Sequence, residues 1–271
     1  FLLLKKFIKI KGSKCFKEKN KKYVLPCPPR NSYSLNCVDI LTQNLKITQY
    51  FKLQMKKQER ADFIRKELGR MYKNPKPPLD FSNPFTLVIA VLLSAQCTDE
   101  RVNIVTRSLF KKAKTPKAMH ALGRAKIHSY IRTCGLAPKK SRAIFETSKI
   151  LIEKYNSKVP QTIEELVTLP GVGHKTASVV VNQAFGKPSF AVDTHIHRLA
   201  QRWKLTNGKN VEQTEKDLKK LFPQESWGDL HLQIIFYGRE FCQARKCYGL
   251  DCKLCNALFP KRRSKVITNK P

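Results

Sequence analysis

Residues 169–193 read LPGVGHKTASVVVNQAFGKPSFAVD, and no other stretch constrains the fold as tightly. A helical pattern opened by Thr162 ends at Leu169-Pro170. Gly171 and Gly173 then allow a tight turn, and Thr176–Phe185 resumes a helical pattern. Two helices must therefore meet at a short corner whose glycines let backbone amides approach a ligand. With a helix N-terminus behind them, such amides bind phosphate without reading a base.

The corner carries two candidates for chemistry. Lys175 follows it at the start of the next helix. An amine attacks only when unprotonated, and burial and the positive helix end both disfavour the ammonium form. A lysine so placed can attack a sugar C1′ and form a Schiff base. Asp193 closes the stretch before a helical pattern from Thr194, which fixes its direction. It can steer protons and stabilise a cation-like sugar. Taken singly, each residue is ordinary: a lysine near a helix start is usually solvated, and Asp193 suits an N-cap.

The remaining chain is helical in pattern. Phe63, Ile64, Leu68, Met71 and Tyr72 share one face, stopped by Asn74-Pro75. Ser82 or Asn83 caps Pro84–Ser94, an apolar helix with proline at its first position. Thr98 or Asp99 opens the next helix, and Thr115-Pro116 repeats the cap-then-proline signal. Gly135 precedes a helix bearing Ile144, Leu151, Ile152 and Tyr155; the segments Val211–Phe222 and Leu230–Phe241 end the series. No strand ladder is visible, so the expected fold is all-α, built of ten or more short helices.

Charge narrows the partner. Fifty-three Lys and Arg against 20 Asp and Glu give a net +33 at pH 7, which points to an anionic polymer. No apolar run reaches the roughly 18 residues of a membrane span. Residues 1–54 carry 12 Lys/Arg against two acids, Glu18 and Asp39, and the first methionine is Met55. This stretch reads as sequence upstream of a start at Met55, or as a basic DNA-binding or organelle-targeting arm. Nine cysteines, five of them scattered, fit an intracellular chain better than a disulfide framework.

Helix, LPGVG, helix is the sequence form of a helix-hairpin-helix, although a purely structural turn would read alike. The stretch LPGVGHKTASVVVNQAFG…AVDTHIHRLAQR resembles the endonuclease III family of helix-hairpin-helix base-excision DNA glycosylases. FSNPFTLVIAVLLSAQCTDERVN, YIRTCGLAPKKSRAI and GKNVEQTEKDL continue the resemblance in order and spacing, from about Met55 to Cys255.

The resemblance implies two helical lobes with DNA over the cleft between them. A six-helix barrel lobe would span 77–187. A second lobe, from 55–76 and 188–258, would carry the cysteine-rich loop, with a basic tail at 259–271. The Schiff-base lysine falls on Lys175 and the catalytic aspartate on Asp193. Gln96 takes the place of the glutamine that fills the gap left by an extruded nucleotide, and Leu136 that of the leucine wedged into the opposite strand. From residue type alone, Leu136 is a core leucine and Gln96 a helix-end polar residue. Gly171, Val172, Gly173 and His174 form the expected phosphate-binding turn. The implied activity is removal of oxidised pyrimidines with AP lyase cleavage, by a monomer acting on damaged or abasic duplex DNA inside a bacterial cell, without a nucleotide cofactor. A related glycosylase for oxidised guanine or mispaired adenine, and a non-catalytic DNA-binding module, are the alternatives.

Cys242, Cys247, Cys252 and Cys255 are spaced C-x4-C-x4-C-x2-C, which suggests a metal site. The resemblance implies a 4Fe-4S cluster here, but the family's usual order is C-x6-C-x2-C-x5-C. That departure leaves a rebuilt cluster loop, zinc, or a lost site open.

Overall fold

The computed structural model describes residues 55–271; the arm at 1–54, with its upstream and targeting readings, lies outside the described residues. Those residues form helices with no strand among them. In chain order these are α1 (Lys57–Met71), α2 (Pro84–Ser94), α3 (Asp99–Lys112), α4 (Pro116–Leu122), α5 (Arg124–Ile131) and α6 (Ala137–Tyr155). There follow α7 (Ile163–Leu166), α8 (His174–Phe185), α9 (Thr194–Arg202), α10 (Val211–Leu221), a 3-10 turn (Gln224–Ser226), α11 (Trp227–Glu240) and α12 (Lys253–Leu258).

Side-chain caps set half of the α-helix starts. The Asn83 side chain accepts from the Thr86 amide at 2.9 Å, ahead of Pro84. Thr98, Thr115 and Thr162 do the same for the Arg101, Ala118 and Glu165 amides. Each such cap is worth about 1 kcal/mol. Two helices go beyond the sequence pattern. α5 begins at Gly123, whose φ of 79° admits a break that residue periodicity does not flag. α12 is a short turn inside the cysteine-rich loop.

Two hydrophobic clusters hold the helices together. In the first, α2 is buried along Phe85–Leu93, which explains its unbroken apolar run. There α8 and α3 pack on α2, and α4 and α5 pack on α6. In the second, Ile64 and Leu68 of α1 meet Ile196, Leu199 and Trp203 along α9 and Ile234 and Tyr237 of α11. Burying each such side chain stabilises the fold by about 1.5–3 kcal/mol. Met71, on the patterned face of α1, ends at the surface. The chain passes between clusters at Phe190–Val192: Ala191 packs in the first, Phe190 and Val192 in the second. Asp193 comes directly after this crossing, while Lys175 belongs to α8 in the first cluster.

Candidate active site and nucleic-acid interface

The glycine turn is built as a corner between α7 and α8. Gly171 has φ 79°, and a Cβ there would lie 3.1 Å from both Ala143 Cβ and Leu92 Cδ1. Only glycine fits this conformation and this space without strain. Gly173 is different: it has ordinary backbone and open space where a Cβ would go. The Val172 side chain is buried, and its amide already donates to the Leu169 carbonyl at 3.1 Å. The amides free for a ligand are those of the first turn of α8, which have no intrahelical partner.

Helix α8 starts at His174, two residues before the pattern suggested, so Lys175 lies inside its first turn. Lys175 is exposed. Among the described residues Lys175 holds no ion pair.

Asp193 is 9% exposed, and its Oδ1 accepts from the Ile196 amide at 2.8 Å. The cap and the candidate acid are therefore the same group: one oxygen is fixed by α9. The carboxylate lines an open cleft of about 620 Å³ together with Lys175, His174, Thr194, Glu212 and Glu215. A helix from each hydrophobic cluster thus contributes one of the two candidate residues.

Two histidines near this pair, His231 and His195, were passed over by sequence patterning. His231 on α11 donates from Nδ1 to the Ala191 carbonyl at 2.7 Å. Burial pushes its pKa down and the nearby Lys175 ammonium adds to this, while the Asp193 carboxylate and the carbonyl bond oppose it. His195 is likewise lowered, mainly by burial, with Asp193 opposing. A histidine within the apolar run Leu230–Phe241 was the signal available. His174 pairs its Nε2 with Glu215 Oε2 at 3.0 Å, and Glu215 also holds Lys219.

Gln96 and Leu136 come together at a second exposed feature. Gln96 has φ 53° and Leu136 φ 63°, both left-handed. Leu136 is 45% exposed, so it is no core leucine. Behind them Lys140, itself buried, donates from Nζ to the carbonyls of Leu93 at 2.8 Å and Ala95 at 2.6 Å. The Lys140 amide donates in turn to the Leu136 carbonyl at 3.0 Å. Lys140 therefore ties both corners, a role that an exposed-looking AlaProLysLys sequence hides.

The four clustered cysteines converge. Cys242, Cys247, Cys252 and Cys255 are buried, and their Sγ atoms all lie within 4.8 Å of one another, a set able to hold a metal ion. Arg262, from the basic run at the C-terminal end, does not stand free in solvent: it donates to the Gly249 and Arg202 carbonyls and stacks on Phe259 at 3.8 Å.

Residues 89–224 match the model of the HhH-GPD superfamily base excision DNA repair proteins. Endonuclease III of Escherichia coli (strain K12) is 47% identical over 192 residues, spanning 71% of this chain and 90% of that protein. The chain belongs to the endonuclease III family. Endonuclease III of Bacillus subtilis (strain 168) is 42% identical over 197 residues, 72% of this chain and 90% of that protein. A solved structure of a trapped endonuclease III–DNA covalent intermediate, in an estranged-adenine complex, is 42% identical with a TM-score of 0.70. It covers 74% of this chain and 94% of that one. The all-α architecture is thus that of the endonuclease III family. No helix among the described residues is long and apolar enough to cross a membrane.

Proposed function

We propose that this chain is a base-excision repair DNA glycosylase with AP lyase activity on oxidised pyrimidines in duplex DNA. The observation that carries the reading is one cleft lined by an unpaired, exposed lysine and a buried, oriented carboxylate.

Lys175 Nζ attacks C1′ of the damaged nucleotide. The glycosidic bond breaks, and the base leaves with its electron pair and a proton. Asp193, with Oδ1 held by the Ile196 amide, sets a negative charge beside the cation-like sugar through its other oxygen. The sugar ring opens to give a Schiff base. Loss of a C2′ proton expels the 3′ phosphate by β-elimination, and water then hydrolyses the Schiff base to return the lysine. The first-turn amides of α8, with Gly173 leaving room, hold a neighbouring phosphate. Gln96 and Leu136 fill the space left by the extruded nucleotide and part the opposite strand. The helices 77–187 form the lobe bearing the hairpin, and 55–76 with 188–258 form the lobe bearing Asp193. The enzyme acts as a monomer, in the compartment that holds the bacterial chromosome.

The family resemblance places a 4Fe-4S cluster in the cysteine loop. Four buried, converging sulfurs suit a thiolate-bound metal in kind. They do not suit a cubane in size, because the sulfurs stand no more than 4.8 Å apart. The chemistry above uses no metal.

Borohydride trapping on duplex DNA containing thymine glycol tests the reading. The expected result is a covalent adduct that Lys175→Ala abolishes while the fold survives. Adduct on a substrate carrying oxidised guanine, but not on thymine glycol, would move the lesion class. Binding without any adduct would leave only a DNA-binding module.

A further inference from the structure

We infer that Cys242, Cys247, Cys252 and Cys255 hold one tetrahedrally coordinated metal ion of the zinc class, in place of an iron–sulfur cubane.

Size is the first ground. Cys242 Sγ lies 3.6 Å from Cys247 Sγ and 3.9 Å from Cys255 Sγ, and no pair in the set exceeds 4.8 Å. Four thiolates at about 2.3 Å from one tetrahedral ion stand about 3.8 Å apart. A cubane inserts four irons and four sulfides between its thiolates and drives them to roughly 6 Å. The observed separations match the single ion. They also exclude a disulfide, whose sulfurs approach to about 2 Å.

The loop's covalent spacing agrees. Cys252 and Cys255 form a C-x2-C pair across the start of α12: Cys252 is the N-cap and Cys255 lies one turn inside. The Asn256 amide donates to the Cys252 carbonyl at 3.0 Å and closes that turn. This is the short chelating step of thiolate zinc sites.

Charge is the second, independent ground, and it separates a metal from a set of neutral thiols. Arg202 is 2% exposed. Its Nη1 donates to Cys242 Sγ at 3.2 Å and to the carbonyls of Cys242 and Gln243, and its Nη2 to that of Ala244. Among the described residues no carboxylate pairs with it. A buried guanidinium without a counter-charge is strongly disfavoured. Neutral thiols would supply none, whereas four thiolates around a divalent ion carry two negative charges.

All four cysteines are buried, so the ion has no open position and acts structurally. What it secures is α9. Arg198 and Arg202 on that helix both donate to the Cys242 carbonyl, and the other end of α9 is capped by Asp193. The loop thus braces the helix that presents the candidate acid, and the inference stands apart from whether Lys175 is the nucleophile.

The test is metal analysis of the full chain, purified anaerobically from cells supplied with both iron and zinc. The expected result is about one zinc per chain, negligible iron and no brown absorbance. Replacement by cobalt should give the visible bands of a tetrahedral all-thiolate site. Removing the metal should lower the melting temperature, and zinc should restore it. Apo-protein offered ferrous iron and sulfide under reducing conditions should stay colourless. About four irons per chain with a stable brown band, in the isolated or the reconstituted protein, would overturn the inference. So would metal-free protein that melts at the same temperature with and without added zinc.

Discussion

Gly135 packs directly against Gln96: a Cβ on Gly135 would lie 2.8 Å from the Gln96 carbonyl oxygen. This contact joins the two left-handed residues, because Leu136 follows Gly135 in the chain. Left-handed backbone in a residue with a side chain costs on the order of 1 kcal/mol and persists only where neighbours enforce it. Here the neighbours are Gly135 and Lys140, whose Nζ holds the carbonyls on either side of Ser94.

Gly135→Ala should force the two corners apart. We expect a stability loss of about 1–3 kcal/mol and roughly tenfold weaker binding to duplex DNA with an abasic site (about 1.4 kcal/mol). Thermal unfolding and a binding titration read the two effects separately. Unchanged affinity at a temperature where the variant is folded would show that the corner geometry does not serve DNA.

Asp193 caps α9 and is the proposed catalytic acid, and substitution can separate the two roles. Asp193→Asn keeps an oxygen for the Ile196 amide but removes the charge, so the fold should hold while base release falls by orders of magnitude. Asp193→Ala loses the cap as well and should cost about a further 1 kcal/mol of stability. If the Asn variant releases thymine glycol at the wild-type rate in single-turnover assays, the carboxylate has no part in the chemistry.

The two turn glycines should answer differently. Gly171→Ala meets positive φ and two contacts at 3.1 Å, so it should destabilise by about 1–3 kcal/mol. Gly173→Ala meets nothing within 4 Å and should leave the melting temperature nearly unchanged. Its methyl instead occupies the space open to a phosphate, so DNA affinity should drop and lose part of its salt dependence. Equal effects of the two changes on melting would contradict the turn geometry.

His231 should make stability pH-dependent. Burial lowers its pKa from the ordinary 6.5, so below that value the unfolded chain binds the proton more readily than the folded protein. Stability therefore rises with pH through this window and is lost as pH falls below about 6.5. His195 adds to the slope with the same sign. His231→Gln keeps a donor for the Ala191 carbonyl and should flatten the slope. Urea midpoints between about pH 5 and 7 measure it; an undiminished slope in the variant would assign the effect to other groups.

Helix starts were legible because their causes are local. Asn83-Pro84, Thr98, Thr115-Pro116 and Thr162 each bond to an amide three residues on, so a short window of sequence holds both partners. The apolar run of α2 announced its own burial in the same way. The cysteine spacing announced a set of four thiols able to hold a metal but not its size, since sulfur separations depend on how the loop closes around Arg202.

By itself, then, the sequence determined the all-α fold, several helix starts, the glycine corner and the chain's strongly basic charge. These follow from periodicity, capping and net charge, none of which needs a distant partner. Only the tertiary structure decided that Lys175 and Leu136 face outward, that Gln96 and Leu136 share one left-handed corner, that His231 bonds the Ala191 carbonyl near Asp193, and that four sulfurs stand within 4.8 Å. Exposure and backbone strain are set by which helix faces meet across the two hydrophobic clusters, and those contacts join residues far apart in the chain.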